Sequence, residues 1–362
     1  MKQSVGATDD SGDASGEGAQ RAPAAGSTTA RRIAIVYNPT KGDPHLLHAA
    51  VEMGLAEARA AAADVGDATW GAPLWLETTV DDSGHGLTRQ AVDAGVDLVL
   101  VAGGDGTVRA AAAGLRQTGI PLAIIPLGTG NLLARNVGLP ITDVHTAVRH
   151  ALTGTDRAID VGVAELTRAN GASSAHVFLV MAGMGIDAAM IEKTNPQLKK
   201  RVGWLAYLDG GLRSMFTQKL HVHYLMQGEH TRSARVSTIL AANVGLLPGN
   251  LRLIPDAAVD DGLLDVALLQ PRTVFGWLAI WRRASREYQA LKKSSFGRIL
   301  IRLTETGKAN VMTYRRGPAV RIDVERAEPV ELDGDSFGTI VSAHFWADAG
   351  ALVLRVPGDP ER

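Results

Sequence analysis

Leu98-Val99-Leu100-Val101-Ala102-Gly103-Gly104-Asp105-Gly106-Thr107 is the stretch that decides the fold. Five apolar residues in a row, with no polar alternate, describe a strand buried on both faces. Two glycines end it, and Val108 to Leu115 reads as a helix. A buried strand, a glycine turn and a helix in that order form the unit of a parallel sheet covered by helices. The turn carries chemistry as well as topology. Glycine lets the backbone approach a ligand closely and adopt positive φ, and the N–H groups at a helix start favour an anion such as phosphate. Asp105 itself repels phosphate, so a cation or a proton has to stand between them. An ordinary tight βα turn, with Asp105 or Thr107 as N-cap, explains the same residues. The pattern lacks the lysine of the P-loop.

Working outward, the same grammar repeats. Ile33 to Tyr37 is a β-rich run that ends in Asn38-Pro39-Thr40-Lys41-Gly42, a turn cluster followed by an Ala-rich helical stretch from Pro44 to Ala62. Trp75 to Thr79 reads as a second strand and Gly86 to Ala94 as a helix. Leu122 to Pro126 is a further strand, and Leu127-Gly128-Thr129-Gly130-Asn131 joins it to a helix opening over Asn131 to Asn136. Thr129 can donate to phosphate, Asn131 can cap or orient, and Lys41 adds positive charge. Each turn alone reads as a plain loop. Three on adjacent strand ends line one crevice, where parallel sheets hold their ligands.

After Thr153 the pattern changes. Ala158–Leu166, Ala175–Ala182, Leu220–Met226, Arg235–Ala242, Leu264–Leu269, Gly297–Thr304 and Ala319–Val324 are short candidate strands, which implies an antiparallel β domain. Helical stretches at Pro196–Phe216 and Arg272–Lys293 interrupt it. The expected fold class is therefore α/β: a doubly wound N-terminal domain followed by an antiparallel β-sandwich. The expected division is a disordered leader over 1–30, a nucleotide-binding domain over 31–155, a β-rich substrate domain over 156–340, and a C-terminal segment, 341–362, returning to the first domain. His221 and His223 alternate as on one strand face, but no third ligand follows at a zinc-like spacing; they read as surface or packing residues.

Composition limits the options. The 362 residues are 46% apolar, enough for a substantial core, and the formal net charge of −1 excludes a nucleic-acid binder driven by overall charge. With no cysteine there is no disulfide, thiolate metal site or cysteine nucleophile. No apolar run reaches the roughly 18 residues of a spanning helix, and Met1 to Ala30 has no apolar signal core. A cytoplasmic protein with at most peripheral membrane contact is expected.

The motifs Asn38-Pro39-Thr40-Lys41-Gly42, Gly103 to Thr107, Leu127 to Asn131, Asp260-Asp261-Gly262 and Leu332-Asp333-Gly334-Asp335, in that order, resemble the bacterial diacylglycerol kinase family of soluble lipid kinases. The resemblance runs from Arg32 to Val356. The Gly-Gly-Asp-Gly-Thr turn is shared with NAD kinases and sphingosine kinases; the second glycine turn and the late Asp-Gly-Asp favour the lipid-kinase branch. The resemblance implies that Asn38 to Gly42, Thr79, Gly104 to Ala110 and Thr129 hold ATP. It implies a structural Mg²⁺ held by the Asp261 side chain with the carbonyls of Ala258 and Leu263; from spacing alone, Asp260 to Gly262 is a turn between two strands. It also puts Leu332 to Asp335 at the cleft, where Asp333 or Asp335 accepts the proton of a lipid hydroxyl; a hairpin turn is the plainer reading of the same Asp-Gly. Asp105 would tie the phosphate loop to the metal and its waters.

Four residues, at three places, depart from the family pattern. Asp335 stands where the family usually has Glu, Arg109-Ala110 where it often has Asn-Glu, and Leu132 where it often has Asp. The expected reaction is ATP- and Mg²⁺-dependent phosphorylation of diacylglycerol. A kinase for a sphingoid base, a related lipid or NAD competes with it, as does a nucleotide-binding regulator without catalysis. The segment Arg272–Lys293, with Trp277, Trp281, Arg282, Arg283 and Arg286, suits an interfacial helix that meets the lipid substrate at a membrane surface, or an amphipathic helix packed on the β domain. Lys199-Lys200-Arg201 followed by Trp204 is a second candidate. Edge strands of the β domain would allow pairing into a homodimer.

Overall fold

The computed structural model describes residues 30–65, 69–141, 143–185, 219–247, 251–252, 254, 257–271 and 312–358. The expected helices at 196–216 and 272–293 and the expected strand at 297–304 lie outside the described residues, as do the leader and the basic cluster at 199–201.

The first half builds a parallel sheet. Strands β1 (Ile33–Tyr37), β2 (Leu74–Glu77), β3 (Leu98–Gly103) and β4 (Leu122–Pro126) pair in the order β4-β3-β1-β2. Helices α1 (Pro44–Val65), α2 (His85–Asp93), α3 (Asp105–Leu115), α4 (Leu132–Asn136) and α5 (Val144–Thr153) connect and cover them. Alternate residues of each strand serve opposite faces. Ile33, Ile35, Leu98, Leu100 and Ala102 pack with Leu47, Val51 and Leu55 of α1 and Val148 and Leu152 of α5. Ala34, Val36, Val99 and Val101 pack with Ala91 of α2 and Val108, Ala111 and Leu115 of α3. Two covered faces explain why the strands are continuously apolar. Helix α5 does not appear in the sequence reading. It is nucleated by Asp143, whose carboxylate accepts from the N–H of His145 (3.3 Å) and Thr146 (2.9 Å), and its stripe Ala147, Val148, Ala151, Leu152 is buried.

The second half is antiparallel. It contains β5 (Thr155–Thr167), β6 (Ser173–Phe178), β7 (Met181–Met184), β8 (Leu220–Met226), β9 (Arg232–Val236), β10 (Thr238–Ala242), β11 (Leu246–Leu247), β12 (Leu251–Arg252), β13 (Leu264–Leu269), β14 (Met312–Gly317), β15 (Ala319–Leu332) and β16 (Asp335–Val356). Its core gathers Leu166, Phe178, Val222, Ile239, Val266, Ile322, Val330 and Phe345. Sequence reading found six residues of β15 and none of β14. Register shifts between Asp323 and Glu328 and between Asp348 and Leu352 break the alternation along the two long strands, which hides them from a period-2 pattern.

Strand β16 links the halves. It pairs antiparallel with β15 and β5, and near its end Leu354 pairs in parallel with Leu122 of β4. One hydrogen-bonded sheet therefore passes from the antiparallel half into the parallel half, and the β15–β16 hairpin projects its turn toward α3.

Candidate active site

The three glycine turns meet at the carboxyl ends of β1, β3 and β4. The Asn38 N–H donates to Ala102 O (2.9 Å), and the N–H groups of Leu127 and Gly128 donate to Gly103 O (3.0 and 3.2 Å). Within the first turn, the Asn38 side chain accepts from Thr40 N–H (2.9 Å) and the Thr40 hydroxyl (2.8 Å). Gly42, at φ +81, packs against Leu127. Pro39 shares this turn, and Thr40 and Lys41 are exposed on it. Gly104 and Gly128 touch backbone to backbone: a Cβ on Gly128 would lie 2.6 Å from the Gly104 Cα. No side chain fits that gap.

Asp105 sits between two turns. Its Oδ2 accepts from Asn131 N–H (2.9 Å) and its Oδ1 from Leu132 N–H (2.6 Å), so it caps the start of α4. Asn131, at φ +47, clamps Gly128 from both sides: its Oδ1 accepts from Gly128 N–H (3.1 Å) and its Nδ2 donates to Gly128 O (2.8 Å). Thr107 is buried behind Gly103, whereas Thr129 is exposed at the mouth. Thr79 is exposed too; its hydroxyl accepts from Asp82 N–H (3.1 Å), and Asp82 in turn accepts from Gly84, Gly86 and Leu87 N–H to cap α2. The sequence reading passed over Asp82, although an Asp just before a helical run is an N-cap signal. It also passed over Asn136, which donates to Leu246 O (3.0 Å) and accepts from Leu246 N–H (3.0 Å), tying α4 to β11.

The β15–β16 turn supplies the carboxylates. Asp333 and Gly334 have φ +52 and +87, and Leu332 pairs with Asp335, so this is a two-residue hairpin turn. Asp333 faces inward. Its Oδ1 accepts from Val180 and Met181 N–H (2.8 and 3.0 Å) and its Oδ2 from Leu179 N–H (2.9 Å). Burial pushes its pKa up, while those N–H groups and the charge of Arg109 pull it back down. Both of its oxygens are engaged by backbone N–H groups. Asp335 differs. Its side chain is 58% exposed, and it lies over the Gly103–Thr107 turn: a Cβ on Gly106 would be 3.3 Å from its Oδ2. Arg109 of α3 donates to Asp335 Oδ2 (2.6 Å) and to Leu332 O (2.7 Å). Beside this pair a cavity of about 420 Å³ opens along α3, lined among others by Gly106, Arg109, Ala110, Ala113, His176 and Phe337.

The turn after Val259 lies elsewhere. Asp261 Oδ1 accepts from Leu263 N–H (3.0 Å), and its Oδ2 is paired with Arg316 of β14. Asp260 is held by Arg157 of β5 at 2.6 Å. Gly262 N–H donates to the buried Asp160 (2.6 Å), which also accepts from Gly350 N–H (2.8 Å). A cation on Asp261, with Ala258 and Leu263 beside it, would have to displace Arg316. As arranged, Asp261 gives one oxygen to the Leu263 N–H and the other to Arg316, and this set does not fit the cation.

A parallel sheet with three fused glycine turns is joined through a long hairpin to an antiparallel unit that presents an aspartate over them. Residues 32–164 match the diacylglycerol kinase catalytic domain, and residues 180–285 match the YegS C-terminal NAD kinase beta sandwich-like domain. The fold is that of a Bacillus anthracis str. Sterne diacylglycerol kinase crystal structure, with a TM-score of 0.61 at 20% identity over 91% of this chain and 98% of that one. In sequence, the chain is 31% identical to "Probable lipid kinase YegS-like" of Pseudomonas fluorescens (strain Pf0-1) over 280 residues, 75% of this chain and 80% of the relative. It is 33% identical to the protein of that name from Pseudomonas putida (KT2440) over 311 residues, 84% and 92% of the two chains. The chain belongs to the YegS-like lipid kinase family and is a phosphotransferase with a lipid acceptor. Among the described residues, no helix is long and apolar enough to cross a membrane.

Proposed function

We propose that the protein transfers the γ-phosphoryl group of ATP to the free hydroxyl of diacylglycerol, giving phosphatidic acid, with the acceptor presented at a membrane surface. The observation that carries this reading is the exposed carboxylate of Asp335 standing over Gly106, at the turn that receives phosphates. The N–H groups of the Gly104 and Gly128 turns and the start of α3 hold the phosphates. When bound, Mg²⁺ on the nucleotide neutralises phosphate charge. Asp335 takes the acceptor's proton: the hydroxyl O–H bond breaks, its oxygen bonds to the γ-phosphorus, and the bond from that phosphorus to the β,γ-bridging oxygen breaks to release ADP. Because Asp335 is exposed, it returns the proton to solvent. Asp105 acts through the backbone, holding Asn131 and Leu132 so that the Gly103–Thr107 and Leu127–Asn131 turns keep one spacing. Diacylglycerol is favoured among lipids by the match to the diacylglycerol kinase catalytic domain.

The test is transfer of label from γ-labelled ATP to diacylglycerol, monoacylglycerol, sphingosine and NAD in mixed micelles. Label in phosphatidic acid is the expected result. Label in another acceptor keeps the mechanism and replaces the substrate. Bound ATP with no transfer to any of them contradicts the reading.

A further inference from the structure

Asp335 lies at the end of a hairpin, more than half exposed, and an aspartate so placed is free to choose among rotamers. A base has to aim one oxygen at the hydroxyl and keep it there. Among the described residues, one side chain is placed to do this. Arg109 stands one turn after Asp105 on α3, and its own side chain is only 13% exposed. One guanidinium nitrogen donates to Leu332 O at 2.7 Å and the other to Asp335 Oδ2 at 2.6 Å, so the fork spans the turn from its entry to its exit. The guanidinium carbon lies 5.1 Å from the centroid of the Phe337 ring, which rests on His176 at 4.7 Å. Arg109 thus has a carbonyl, a carboxylate and an aromatic face, all from one hairpin, against a planar group that matches each of them. Among the described residues the Asp335 carboxylate makes no other hydrogen bond, so Oδ2 is occupied and Oδ1 is left open.

We propose that Arg109 is a positioning residue for the reaction. It fastens the β15–β16 turn to the phosphate-turn helix and masks one oxygen of Asp335, so that the other is presented to the acceptor hydroxyl. The two residues are 226 positions apart in sequence, yet they belong to the two elements that must come together for transfer. A role for Arg109 as a direct ligand of the nucleotide is the rival account, and the two differ in what they disturb. A positioning role shows in turnover and leaves ATP affinity alone.

This inference rests on Asp335 being the base, and the experiment separates the two claims. Arg109→Met and Arg109→Lys are measured for lipid phosphorylation, for ATP binding without lipid, and for deuterium uptake across residues 332–337. Arg109→Met is expected to lose about 10²-fold in kcat with its ATP Kd unchanged and faster uptake in the hairpin. Arg109→Lys, which keeps the charge and loses the fork, is expected to recover about tenfold of that loss. Combined with Asp335→Asn, Arg109→Met is expected to add almost nothing, because the two act as one unit. Wild-type transfer that Arg109→Met leaves unchanged overturns the inference, as does a weakened ATP Kd with kcat preserved, or fully multiplicative losses in the double variant. If Arg109→Met does not fold, the same readings on Arg109→Lys decide. Absence of lipid transfer by the wild-type protein overturns the underlying reading instead.

Discussion

Two Asp-Gly turns, at 260–262 and 333–335, look alike in sequence and end differently in space. At the first, both acids of the turn are paired with arginines. Arg157 holds Asp260, Arg316 holds Asp261, and Asp160 takes the Gly262 N–H from beneath. At the second, Asp333 is consumed by three backbone N–H groups, while Asp335, two residues on, stands over Gly106 with Oδ2 held by Arg109 and Oδ1 without a partner among the described residues. An aspartate becomes available for chemistry through what its neighbours decline to take. Spacing along the chain does not record that, because the neighbours come from β5, β14 and the β6–β7 connection.

The sharpest way to break the comparison is at its inward acid. Asp333→Ala leaves three N–H groups without acceptors and is expected to cost about 3–5 kcal/mol of stability, read as the denaturant midpoint. A variant as stable as wild type would show that the turn does not depend on that carboxylate. A smaller loss is expected at the phosphate turns. Gly128→Ala forces a methyl into the Gly104 backbone and is expected to weaken ATP binding by about 1–3 kcal/mol, measured by titration calorimetry; unaltered affinity would mean that the turns can separate freely. At the arginine-stapled turn the effect should be slighter still. Arg316→Met is expected to cost about 0.5–1 kcal/mol, since the pair is partly exposed and screened. Chelating Mg²⁺ should leave the Tm of the nucleotide-free wild-type protein where it was. A Tm that falls on chelation would place a cation at Asp261 after all.

The smallest effect concerns pH at the groove beside Arg109. Burial lowers the His176 pKa below its ordinary 6.5, and Arg168 and Arg109 push it the same way. The unfolded chain therefore binds a proton at a higher pH than the folded one. The contribution of neutral His176 to stability is complete above 6.5 and is lost as pH falls from there toward the folded value. His176→Gln should flatten Tm between pH 7 and pH 5.5 by less than about 2 °C. An identical pH slope in the variant would remove His176 from the account.

How much of this was legible follows from range. The strand, glycine turn and helix around Asp105 could be read because each depends on residues within ten positions of it. The amphipathic pattern of α5 was there to be read at Ala147, Val148, Ala151 and Leu152, and the capping Asp143 announces its start. The end of β15 and all of β16 escaped because register shifts erase the alternation that marks a strand. Sequence left Asp333 and Asp335 as equal candidates for the base, and only the N–H groups of Leu179, Val180 and Met181 separate them. Arg109 drew notice as a departure from the family pattern, but its partner could not be read, because contact across 226 positions leaves no local signal.

The most direct test of the central claim is single-turnover phosphate transfer to diacylglycerol by the wild type and by Asp335→Asn, with ATP affinity and Tm measured on both. The account predicts a loss of about 10²–10⁴-fold in the rate of transfer with unchanged ATP binding and an unchanged Tm. Transfer at the wild-type rate by Asp335→Asn would contradict it and return the search for the base to another group in the cleft.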